Sequence, residues 1–137
     1  MLKNMVKKYY DKSYNLNCAE VIIYAANEEY GLNLNKEAFK TMSAFGGGMA
    51  VEDVCGAITG SLAVIGIMFT KNISHESTKI KELSKKFFQE YENILGFRDC
   101  RELKEKYHNY DIRCSIMVET AADVLEKIIN SQNGERN

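Results

Sequence analysis

Between Val54 and Phe69 the chain runs sixteen residues without a charged side chain, bounded by Glu52 and Asp53 on one side and Lys71 on the other. A stretch this apolar cannot face water, and it falls short of the roughly 20 residues that carry a helix across a bilayer. It is therefore expected to be a buried central helix, and the rest of the chain must supply the faces that bury it. Gly56 and Gly60 lie one turn apart inside it. Glycine costs about 1 kcal/mol against alanine in a helix interior. Close contact with a neighbouring helix, including one bearing another cysteine, is a compensating gain; plain tight packing is the alternative.

The remaining segments have the periodicity to build that surround. Leu2, Met5, Val6 and Tyr9 mark a first amphipathic segment over 2–12. A second runs over 18–30, with Cys18, Val21, Ile22 and Ala25 on one face, Asn17 and Glu20 as a capping box, and Gly31 as its end. A short helix is expected over about 36–44, presenting Ala38, Phe39 and Met42. Residues 75–95 place Ile80, Leu83, Phe87, Tyr91 and Ile94 on one stripe, stopped at Gly96. Asp99 and Glu102 suggest a second capping box opening a helix at Cys100. The last helix, from Ile112 to about Asn130, buries Met117, Val118, Ala121, Leu125 and Ile128, and a polar, frayed tail follows from Ser131. The chain has no proline and no sustained period-two alternation. The expected fold is all-α, a single-domain helical bundle over 1–130 packed around the 54–69 helix, with 131–137 as tail.

Charge narrows the partners. A formal net charge of −1 gives no electrostatic footprint for nucleic acid, and the basic first twelve residues read as a solvated helix face. No apolar signal region opens the chain, so a cytoplasmic, reducing setting is expected, where cysteines are more often catalytic, redox-sensing or metal-bound than structural disulfides. A homodimer through helix faces remains open.

Four cysteines then carry most of the information. Cys18, Cys55, Cys100 and Cys114 each follow an Asn or Asp by one to three residues: Asn17, Asp53, Asp99 and Asp111. Those residues favour helix N-caps, and a thiol in a helix's first turn sits where the peptide dipoles favour negative charge. Gaps of 37, 45 and 14 residues separate successive cysteines, with no C-x-x-C, so any shared site must be assembled by tertiary packing. Arg98 and Arg101 flank Cys100, and Arg113 precedes Cys114, which makes these two the expected thiolates. Glu52 and Asp53 oppose ionisation of Cys55. The three arginines would also offset the charge of a multi-thiolate metal site. Gly46, Gly47 and Gly48 match no phosphate-loop or dinucleotide spacing, so close backbone approach to Cys55 or to a small cofactor is expected there. On that basis Gly47, Gly48, Gly56, Arg101 and Arg113 are the residues expected to surround a cofactor. His75 and His108 are candidate ligands or proton carriers, though isolated histidines are commonly surface residues.

The ordered segments Asn17-Cys18-Ala19-Glu20, Gly46-Gly47-Gly48-Met49, Cys55-Gly56-Ala57-Ile58-Thr59-Gly60, Cys100-Arg101-Glu102-Leu103 and Cys114-Ser115-Ile116-Met117-Val118 resemble the redox-active family named for its cysteine pattern, C-GCAxxG-C-C. The resemblance covers residues 13 to about 130. It implies that Cys18, Cys55, Cys100 and Cys114 are the family's cysteines and that their role is redox. It also implies a transport-linked partner, since such proteins tend to be encoded near transporter genes.

Three functions stay open on sequence. In thiol–disulfide exchange with an unidentified redox partner, Cys100 or Cys114 attacks and a second cysteine resolves; those two are also a candidate pair. In a metal or iron–sulfur protein, the four cysteines ligate zinc as a structural ion or a cluster as an electron carrier. In a non-catalytic helical interaction module, the thiols are simply buried. No acid–base pair suggests enzymatic turnover beyond these.

Overall fold

Burial of the apolar run organises the molecule. In the computed structural model, which describes residues 1–73 and 77–136, the chain is all-α. Its α-helices among those residues are α1 (Leu2–Tyr9), α2 (Cys18–Tyr30), α3 (Lys36–Lys40), α4 (Gly56–Phe69), α5 (Lys79–Leu95), α6 (Cys100–Tyr107) and α7 (Ser115–Arg136). The apolar helix α4 packs on α2, α5 and α7, and α1 lies against α2 and α7. Gly56, Ala57, Ile58, Gly60, Ser61, Val64 and Ile65 of α4 are buried. The hydroxyl of Ser61 donates to the Ala57 carbonyl at 2.7 Å, so its burial leaves no polar group unpaired. Among the described residues no helix is long and apolar enough to cross a membrane.

The core faces follow the expected periodicity, with local departures. Helix α2 begins in the capping box that the sequence announces: Glu20 N–H donates to Asn17 Oδ1 at 2.8 Å, and Asn17 N–H donates to Glu20 Oε1 at 2.9 Å. Gly31 closes it in the left-handed conformation. On α5 the buried positions are Leu83, Phe87, Tyr91 and Leu95, steps of four throughout. Ile94, expected on that stripe, is 59% exposed. The first helix stops at Tyr9, because the Asp11 side chain accepts from Ser13 N–H and starts a separate 3₁₀ turn over Lys12–Tyr14. The short third helix ends at Lys40, before the expected 44. The segment from Ser131, expected to fray, continues α7 to Arg136, and Lys79 Nζ donates to Gln132 Oε1 at 2.7 Å. His75 and the expected helix start there lie outside the described residues.

Candidate functional site

Each cysteine stands at a helix start, but only Cys18 does so through the side-chain cap that the sequence suggests. Cys18 is the first residue of α2, and Cys100 is the first of α6. Cys55 is itself the N-cap of α4, its carbonyl accepting from Ile58 and Thr59. Cys114 precedes α7, and its carbonyl accepts from Val118 N–H at 3.1 Å. Asp53 and Asp99 serve tertiary structure instead of side-chain capping, and the Asp99–Glu102 box is not made. Val54 and Asp99 form an isolated antiparallel bridge. In it Cys55 N–H donates to Arg98 O at 2.9 Å, and Cys100 N–H donates to Asp53 O at 2.6 Å. Side chains alternate faces along extended backbone, so Cys55 and Cys100, each one residue past the bridge, share its other face. Before Cys114, Asn109 rather than Asp111 makes the turn, its Oδ1 accepting from Asp111 and Ile112 N–H.

All four cysteines line one cavity of about 140 Å³. They are free thiols; Cys55 and Cys100 are buried, and Cys18 and Cys114 are partly exposed. Gly47 and Gly56 complete the cysteine side of the wall, Leu103 and Met117 give it an apolar flank, and Lys104 and His108 complete the lining. Gly48 stands outside, behind Cys100: a Cβ there would lie 2.7 Å from Cys100 Cβ and 2.5 Å from Asp53 N. At Gly48 the loop therefore packs on the Asp53 backbone and on Cys100. It does so through a left-handed turn in which Gly47, Gly48, Met49 and Ala50 have φ between 60° and 66°, a conformation that costs non-glycine residues about 1–2 kcal/mol each. Two more of the expected cofactor neighbours are elsewhere. Arg101 lines a separate groove with Glu52, Asp53, Asp99 and Glu102, and Arg113 lies over the Tyr10 ring, 4.3 Å from its centroid. Among the described residues no group of three or more His, Cys, Asp or Glu side chains is placed to hold a metal ion.

Residues 16–128 match the family model described as "Putative redox-active protein (C_GCAxxG_C_C)". The chain belongs to this family. Comparison with curated proteins and with solved structures returned no match. The family's central motif has a direct reading in the geometry. Gly56 lets α4 start against α2, where an added Cβ would meet Cys18 Cβ at 3.2 Å and Phe45 O at 3.1 Å. One turn on, Gly60 lies against the backbone of Ala19. The glycines thus bring the helix led by Cys55 onto the helix led by Cys18, the close contact anticipated from their spacing.

The family's four thiols are electrostatically unequal. Cys114 is held down to about 7, first because the neighbouring Cys18 thiol donates to its sulfur, then through Lys104, the Tyr10 hydroxyl and Arg113, with burial opposing. Cys18 is raised by the same interaction, and burial adds to it. Cys55 is raised by burial, although the Tyr91 hydroxyl, 3.4 Å from its sulfur, and the amides of Ala57 and Ile58 favour its thiolate. Cys100, expected to be a thiolate, is instead pushed up to about 11 by burial and by Cys55, with Lys104 pulling the other way. Its flanking arginines do not help. Arg98 pairs with Glu92 at 2.6 Å and lies over the Phe88 ring, and Arg101 faces the outer groove.

Lys104 and Tyr10 escaped the sequence reading, Tyr91 appears there only as a core position, and His108, named there as a candidate ligand or proton carrier, lines the cavity. Lys104 follows Cys100 by four residues, so helix spacing alone places both on one face. Tyr10 carries no such signal, because it meets Cys114 only in the folded chain. Its oxygen accepts from Cys114 N–H at 2.7 Å, leaving the O–H to donate towards the sulfur. Burial keeps this phenol protonated well above its ordinary range. Tyr10→Phe should therefore move the pH midpoint of Cys114 alkylation upward, and an unmoved midpoint would remove Tyr10 from the site.

Proposed function

We propose that this protein carries out thiol–disulfide exchange with Cys114 as the attacking thiolate and Cys18 as the resolving thiol. The observation that supports it is that these two cysteines line one partly open cavity as free thiols, where each acts most strongly on the other's ionisation, lowering Cys114 and raising Cys18. Cys114 attacks one sulfur of an oxidised partner's disulfide, whose S–S bond breaks and releases the first partner thiolate. Cys18 then attacks the Cys114 sulfur and gives its proton to the second departing thiolate. The partner leaves reduced by two electrons, the chain holds a Cys18–Cys114 disulfide, and a thiol reductant restores it. This replaces the Cys100–Cys114 pair suggested by nearness in sequence. The raised Cys55 and Cys100 stay protonated near neutrality and do not compete for attack. In the cytoplasmic setting read from the sequence, thiol reductants would regenerate the protein.

Disulfide mapping by mass spectrometry after exposure to glutathione disulfide tests the assignment. The wild type should yield a Cys18–Cys114 bond, Cys18→Ser should stop at a mixed disulfide on Cys114, and Cys114→Ser should give neither at pH 7. A map without the Cys18–Cys114 bond would overturn it. So would purified protein carrying stoichiometric zinc or iron on protected thiols, which is the outcome the metal reading requires.

A further inference from the structure

The substrate class can be taken further from the charge around the cavity, on the footing that Cys114 and Cys18 exchange as proposed above. The lining contains Lys104 and His108 and no carboxylate. Glu52, Asp53, Asp99 and Glu102 line the separate groove around Arg101, and Glu52 acts on Cys100 only as the smallest of the named influences. The four cysteines that form the wall stand at the N-terminal ends of α2, α4, α6 and α7. Each of these ends carries a partial positive charge from its aligned peptides. Those of α4 and α6 have no side-chain cap hydrogen bond to absorb it. A volume of about 140 Å³ admits one arm of a small molecule, not a folded partner's loop. Four positive helix ends and an ammonium around a small space, with no opposing carboxylate in the wall, amount to a field of one sign.

We propose that the cavity takes small anionic disulfides in preference to neutral or cationic ones, with Lys104 drawing the anionic arm towards Cys114. The exchange is balanced by the substrate itself. Cys114 forms a bond to one sulfur of the small disulfide and the other leaves as a carboxylate-bearing thiolate. Cys18 displaces the second arm, which takes the Cys18 proton. Two electrons pass from the two cysteines to the small disulfide.

A charge series of small disulfides tests this with the intact protein at pH 7 and low salt. Dithiodiglycolate carries two carboxylates, 2-hydroxyethyl disulfide is neutral, and cystamine carries two ammonium groups. Each rate of Cys18–Cys114 formation is divided by that reagent's rate with 1-thioglycerol, a neutral thiol that forms none of the three reagents, which removes intrinsic reactivity. The normalised order should be anion, neutral, cation, with the anion about tenfold ahead of the neutral reagent. That lead should shrink to about twofold in 1 M salt, where the screening length is about 3 Å. Lys104→Gln should lower the anion-to-neutral ratio, leaving only the smaller preference that the helix ends supply. The ratio is the readout because Lys104 also favours the Cys114 thiolate and so affects every reagent. Equal normalised rates, or a ratio unmoved in Lys104→Gln, would overturn the charge selection while leaving the exchange reading intact. Failure of all three reagents to form the Cys18–Cys114 bond would overturn the exchange reading and this inference with it.

Discussion

At pH 7, Cys114 should be alkylated by iodoacetamide about a hundredfold faster than Cys100. With Cys114 held near about 7 and Cys100 pushed up to about 11, about half of one and about 0.01% of the other is thiolate, a difference of about 5,000-fold. The more basic thiolate is the better nucleophile. Taking the slope of about 0.45 known for disulfide exchange, that returns about 60-fold to Cys100. The net is close to two decades, and burial of Cys100, 7% exposed, can only widen it. Timed alkylation with peptide mass mapping reads both residues in one sample. The Cys114 rate should climb with pH, pass its midpoint near about 7 and flatten, while Cys100 continues to climb towards about 11. The two shifts act on stability in opposite senses. The lowered Cys114 contributes stability above the unfolded thiol range of about 8.5 that is lost as pH falls through about 7; the raised Cys100 contributes stability below about 8.5 that is lost as pH rises through about 11. Similar alkylation rates for the two cysteines would remove Cys114 as the attacking residue.

The sequence was legible wherever the controlling interaction was local. The Asn17–Glu20 box needs only its own turn, and it is made. Gly31 and Gly96 end α2 and α5 for the same kind of reason. Periodicity located the buried faces because a helix that must cover α4 has few ways to turn. The failures around Cys55 and Cys100 have one physical origin: a long-range partner outcompeted a local one. Asp53 and Asp99 look like caps, yet the Val54–Asp99 bridge takes up their segments and sets Cys55 beside Cys100. Arg98 and Arg101 are adjacent to Cys100 in sequence, but Arg98 goes to Glu92, and the rotation of α6 carries Arg101 to the outer groove. Charge adjacent along the chain is a poor guide to charge adjacent in space. For Cys114 the neighbour Arg113 does favour the thiolate, but as a smaller contribution than Cys18, Lys104 and Tyr10. Cys18 and Cys114 are 96 residues apart, and no local pattern could have paired them.

Gly60→Ala should lower the melting temperature by about 8 °C, whereas Gly66→Ala, in the same helix, should raise it. Both substitutions add a methyl group to α4 and both gain helix propensity, about 1 kcal/mol at an interior position. At Gly66 nothing lies within 4 Å of the added Cβ, so the propensity gain stands and about 3–4 °C follows. At Gly60 the Cβ would sit 2.6 Å from the Ala19 carbonyl oxygen and 2.9 Å from its Cα. Both are backbone atoms of α2, so no side chain can swing aside and the helices must separate. Overpacking of this kind costs about 1–3 kcal/mol; with backbone as the obstacle the upper end applies, leaving a net loss of about 2 kcal/mol. Differential scanning calorimetry of the two variants decides the sign, and a Gly60→Ala protein as stable as the wild type would refute the close α2–α4 contact. The same variant carries a second readout. Ala19 adjoins Cys18, so pushing α4 away from α2 displaces the thiol that donates to Cys114, and the Cys114 alkylation midpoint should rise. In Gly66→Ala it should stay in place, because that methyl group meets nothing and leaves the spacing of the two helices as it is.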